Sequence, residues 1–177
     1  MEIHDTKKML KKKKQDMTKD ELILETGIIF WSSLYVACCK AAVDKWGDEG
    51  VEVMRKAVHD RTLNVFKDWE RREIFKPQYG DCRDIPHAIS ILGTPMEAGC
   101  EAQATVPECS ENLCVIDNPT CALAPMMNEV WPDICKVISV GGDDGYCHAI
   151  NPNMYTTSEA SLARGDKRCL YRYEIKK

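Results

Sequence analysis

From Thr18 onward apolar positions recur three or four residues apart, at Leu22, Ile23, Ile29, Phe30, Leu34, Val36, Cys39, Ala42, Val43 and Trp46. Thr18 followed by Glu21 offers a capping pair and Gly47 a stop, so the stretch predicts one long helix with a wide buried face. A second helix is expected from about Glu49, where Val51, Met54, Val58, Val65, Phe66 and Trp69 keep the same spacing against a charged opposite side. The two predict an antiparallel helical hairpin.

Lys76-Pro77 breaks the pattern, and Asp81 to Leu92 then predicts a short helix closed by Gly93-Thr94-Pro95. Beyond it the period shortens. Cys100 to Val106 and Glu111 to Ile116 alternate in part between Pro or Gly boundaries and read as strands. A helix is expected from about Cys121 to Val137, with Pro125 and Pro132 in first turns or at a kink. The tail alternates most clearly: Tyr155 to Ala163 leads through Arg164-Gly165-Asp166-Lys167 into Cys169 to Ile175, a β-hairpin rich in aromatic residues. Helices first and strands later predict an α+β fold, with the N-terminal helical hairpin and further helices packed on a C-terminal antiparallel sheet.

At 177 residues one domain is expected over 18–177, preceded by a basic, flexible tail over 1–17 that carries Lys7, Lys8 and Lys11 to Lys14. A net charge of -4 gives no footprint for nucleic acid. No membrane association is expected either: the apolar run Gly27 to Cys39 is shorter than a bilayer span and is preceded by Asp20, Glu21 and Glu25. Ten cysteines without a convincing export signal point to a reducing compartment, so a cytoplasmic location is expected, with the thiols as core residues, ligands or nucleophiles.

Eight of those cysteines lie from Cys82 onward, and none forms a Cys-x-x-Cys pair of the kind that opens zinc ribbons and ferredoxins. Cysteines from separate elements can still converge, and Cys147, Glu159 and Cys169, with Cys114 or Cys121, form the candidate zinc set. Thiolates also select soft ions such as arsenic or mercury. The chain has no dinucleotide fingerprint, Walker loop, nucleophile elbow or His-Glu-x-x-His.

Two segments concentrate chemistry. Gly141 to Asn153 gathers glycines, carboxylates, Cys147, His148 and Asn151, the composition of a catalytic loop, with a glycine turn over a buried Cys as the other reading. Cys114 to Cys121 places Asp117 and Cys121 on either side of an Asn118-Pro119 turn, near a strand end. A catalytic thiol needs its pKa lowered, and Cys121 at a helix start has the macrodipole for that. Cys121 or Cys147 is therefore the candidate nucleophile and His148 or Asp117 the proton carrier. His59 and His87 read as surface or core residues on helices, and Cys38-Cys39 as packing.

Trp46-Gly47-Asp48-Glu49-Gly50, a Cys-bearing strand and turn, and the ending Gly165-Asp166-x-x-Cys169-Leu170-Tyr171-Arg172-Tyr173 resemble the L-2-amino-thiazoline-4-carboxylic acid hydrolase family. The ending is also similar, more distantly, to vinyl-reductase-type small-molecule-binding domains of sensors. The first resemblance implies ring opening of a cysteine-derived heterocycle by water at an amidine-like carbon. Gly165, Asp166 and Cys169 match its closing motif and Cys147 its preceding cysteine. Where the family has a Cys-Pro turn, this chain has Asn118-Pro119.

The expectation is thus a hydrolase acting on a C–N bond of a small heterocycle or amide-like compound, requiring no cofactor. Cys121, Cys147, His148 and Asp117 are the catalytic candidates, and Asn118, Asn151 and Asp166 the substrate contacts. A small molecule is the expected partner, and a homodimer the assembly the reading admits. The alternative is a non-catalytic sensor-like module with zinc on Cys147, Glu159 and Cys169.

Overall fold

A computed structural model of the chain describes residues 14–23, 26, 30–96, 104–121 and 123–176. Most of the basic tail, and most of the strand expected over Cys100 to Val106, lie outside these residues. The architecture is α+β. Its α-helices are α1 (Lys19–Ile23), α2 (Trp31–Trp46), α3 (Asp48–Arg71), α4 (Ile85–Met96), α5 (Ala124–Val130) and α6 (Ile138–Ile150). Its strands are β1 (Thr105–Cys109), β2 (Leu113–Asn118), β3 (Met154–Ala160) and β4 (Cys169–Ile175), joined antiparallel in the order β1-β2-β4-β3. Among the described residues no helix is long and apolar enough to cross a membrane.

Helices α2 and α3 form the expected hairpin. Gly47 turns the chain at φ 57° and ψ -135°, a conformation open to glycine, and donates its N–H to Val43 O. Gly50 then lets α3 press against α2, since a Cβ there would stand 2.6 Å from Ala42 O. After α3, the buried Asp84 carboxylate accepts the backbone N–H groups of Gln78, Tyr79 and Gly80, which pins the turn leading into α4.

The sheet follows its alternation. Cys114 and Ile116 of β2, Cys169, Tyr171 and Tyr173 of β4, and Met154 and Thr156 of β3 turn inward. All of these but Thr156 pack with Phe66, Phe75, Ile85, Tyr146 and Cys147 into the larger core cluster. A second cluster joins Val36, Cys39, Leu123, Met127, Ile134 and Val137 beneath α2 and α5. Strand β1, exposed at all five positions and carrying Pro107, is a sheet edge, where a missing backbone donor is tolerated.

Three expectations are corrected. The helix over Cys121 to Val137 is split: Trp131, extended at φ -161° and ψ 99°, separates α5 from a 3-10 turn over Pro132–Lys136, because a residue before proline avoids the helical region. Helix α4 runs through Gly93-Thr94-Pro95 to Met96. Of the strand expected over Cys100 to Val106, Thr105 and Val106 lie in β1, and residues 100–103 are outside the described residues. The presumed loop Gly141 to Asn153 is mostly helix α6, made by contact with α3 rather than by local propensity. A Cβ on Gly145 would stand 2.7 Å from both His59 O and Thr62 Cβ, and one on Gly141 3.0 Å from Arg55 O. Glycine is what lets these helices approach so closely.

Candidate functional site

Two groups of polar side chains stand apart from the core. The first gathers where β2 ends. Asp117 and Asn118 close the strand opposite Leu170 and Cys169 of β4, and Pro119 turns the chain away toward Cys121. Arg168, just before β4, reaches across and pairs with Asp117 Oδ2 at 2.5 Å. The other oxygen, Asp117 Oδ1, and the side-chain oxygen of Asn118 are both buried, and among the described residues neither has a donor. Cys121 is half-buried and lies three residues before α5, whose Ala124 N–H it accepts through its carbonyl. It therefore precedes the helix instead of starting it.

The second group lies in the seam between α3 and α6. His59 Nε2 and His148 Nδ1 are 2.7 Å apart, and His59 Nδ1 is 3.0 Å from Asp60 Oδ1. His148 also bonds the Met154 backbone, and a hydrogen bond that favours the charged ring is one the imidazole donates. With the far nitrogen of His148 donating, its Nδ1 accepts from His59. Burial, and then the neighbouring His59, push the His148 pKa down. Beside the pair is a recess of about 260 Å³ lined by Arg55, Lys56, His59, Asp60, Gly141 and Asp144, with Arg55 Nη2 3.6 Å from Asp144 Oδ2. His59, Asp60 and Arg55 were not among the sequence candidates, and only the fold joins His59 to a residue 89 positions away.

The remaining candidates fall elsewhere. Cys147 is fully buried and shares a hydrogen bond with Thr156 at 3.4 Å, and burial pushes its thiol pKa well up. A thiol so placed packs; it does not ionise to attack. Cys169 is buried too, accepts the Leu162 N–H at 3.3 Å and is pushed up to about 11 by burial. Glu159 is exposed and pairs with Arg172. The Cys147, Glu159 and Cys169 set is thus not brought together, and among the described residues no group of three or more His, Cys, Asp or Glu is spaced to hold a metal ion.

Asn151 closes α6. It donates to Gly80 O at 3.0 Å and accepts from the Asn153 N–H. Asp166 accepts the Ser161 N–H at 2.7 Å and fastens the connection between β3 and β4, where Gly165 adopts φ 91°. Both hold turns.

No family model matches the chain, and no curated protein matches it. Among solved structures it is similar to a trafficking protein particle complex subunit 3 from Naegleria fowleri, crystallised covalently bound to palmitic acid. The TM-score is 0.57 at 12% identity, over 84% of this chain and 96% of that one. At that identity the likeness is one of fold.

Proposed function

We propose that the chain hydrolyses a C–N bond in a small amidine- or amide-like compound at the end of β2. In this reading Cys121 is the nucleophile, Asp117 and Asn118 accept N–H groups of the substrate, and Arg168 faces an acidic group on it. The observation that carries the reading is the pair of buried acceptors without a donor. Such an oxygen costs about 1–3 kcal/mol when left unpaired, so one on each of the last two residues of β2 favours a ligand rich in N–H at this strand end. The histidine chain in the helix seam is hydrogen-bonded from Asp60 to Met154 and has no such deficit.

The chemistry closes on itself. The Cys121 sulfur adds to the amidine-like carbon, the C–N bond breaks, and the departing nitrogen takes a proton. Water then cleaves the carbon–sulfur bond and returns the thiol. No disulfide joins the nine described cysteines, and a reducing, cytoplasmic setting is part of this reading.

A second reading is a non-catalytic small-molecule module. It is favoured by the fold neighbour, which carries palmitic acid, and by an apolar cleft of about 330 Å³ lined by Tyr35, Met54, Ala57, Val58, Arg61 and Thr62.

The test uses 2-aminothiazoline-4-carboxylate as the probe and follows the product by mass. The expected result is a product heavier by one water, with the rate falling by orders of magnitude in Cys121→Ser and Asp117→Asn while both variants melt like the parent. Absence of turnover by the parent chain overturns the hydrolase, and saturable binding without turnover supports the second reading.

A further inference from the structure

Cys109 ends β1 and stands directly opposite Cys114 of β2. The hairpin between them closes at Ser110 and Leu113, where the Ser110 N–H donates to Leu113 O at 2.7 Å. Hydrogen-bonded and non-hydrogen-bonded pairs alternate along an antiparallel ladder. The neighbouring Cys109/Cys114 pair is therefore the non-hydrogen-bonded kind, with Cα atoms about 4.5 Å apart and side chains on one face. A disulfide spans Cα separations of about 4.4–6.8 Å. The thiols already touch: Cys114 hydrogen-bonds to Cys109, whose own S–H donates to Cys82 O at 3.8 Å. Cys109 is exposed and Cys114 buried, so one thiol of the pair is open to solvent.

We propose that Cys109 and Cys114 form a redox-active dithiol that closes to a cross-strand disulfide by exchange with a small disulfide such as oxidised glutathione. The Cys109 thiolate attacks one sulfur of the small disulfide, whose S–S bond breaks, and one small thiol leaves with the bonding pair and a proton. Cys114 gives its proton to solvent and attacks the Cys109 sulfur, and the second small thiol leaves. Two protein thiols are oxidised while one small disulfide is reduced to two thiols. Burial and the adjacent Cys109 raise the Cys114 pKa, so the exposed thiol makes the first attack and the buried one the intramolecular second. The link ties down β1, an edge strand whose register slips between Thr105 and Glu108.

The experiment equilibrates the full chain with oxidised and reduced glutathione, then reads intact mass and mapped peptides. The expected product has lost the mass of two hydrogens, carries a Cys109–Cys114 cross-link, and reverts with excess reductant. Cys109→Ser, a change at an exposed position, should keep its helical spectrum and form no such link. A chain that stops at a glutathione adduct on Cys109, links Cys109 to a different cysteine, or does not react overturns the proposal.

Discussion

Helix α6 has two faces that share a backbone and little else. One side lies in the larger core: Cys147 is buried, and the buried Tyr146 donates its hydroxyl to Tyr173, which donates in turn to Asp143. Burial pushes the pKa values of Tyr146, Cys147 and Tyr173 well above their ordinary ranges, so these groups stay neutral there. The other side meets α3 through Gly141, Gly142 and Gly145 and carries His148 at the edge of a recess. Ionisable side chains on the core face serve as packing, whereas His148 on the seam face stands beside the recess with its pKa pushed down by partial burial. The lesson is that burial decides what a thiol or an imidazole can do, whatever its neighbours in sequence.

The largest expected effect tests how tightly the seam closes. Gly145→Ala places a methyl group 2.7 Å from His59 O and Thr62 Cβ, so α3 and α6 must part. We expect a loss of about 2–3 kcal/mol in chemical denaturation, the upper part of the range of about 1–3 kcal/mol for an overpacked core. Separation of His59 from His148 should accompany it, visible as a change in their imidazole NMR shifts. An alanine variant as stable as the parent would mean that the seam yields easily and that glycine is incidental.

The core face offers the next effect. Cys147→Ala removes a buried sulfur and leaves the Thr156 hydroxyl without that partner, so a loss of about 1–2 kcal/mol is expected. In the proposed hydrolase, turnover per folded molecule should not change, because this thiol packs. A variant that kept its stability and lost its rate would return Cys147 to the catalytic candidates and erase the contrast between the faces.

How far the sequence reveals these faces follows from the range of the forces involved. The α2–α3 hairpin and the β3–β4 hairpin were legible because their apolar periods lie within one segment and end at Gly47 and in the Arg164-Gly165 turn. Asp117, Asn118 and Cys121 stood out as a group because a local Asn-Pro turn holds them near one strand end. Helix α6 did not, since three glycines argue against a helix until α3 supplies the surface they fit. Their spacing at 141, 142 and 145 is itself a helical face, and that was the available signal. The His59–His148 pair had none, because two imidazoles far apart in sequence meet only through packing.

The smallest effect concerns that pair. Burial, and then His59, hold the His148 pKa below 6.5, while Asp144 and the Met154 backbone pull it the other way. The folded chain thus binds this proton less readily than the unfolded chain. Stability from His148 is fully present above about pH 6.5 and is lost as pH falls toward the folded pKa. Thermal melts from about pH 7.5 down to about pH 5 should show a decline smaller than that of either substitution. His148→Gln should flatten it, with Glu52, Arg55, Lys56, His59, Asp60 and Asp144 left in place around the seam. An unchanged slope in His148→Gln would move the acid sensitivity to those neighbours and remove His148 from the contrast between the two faces.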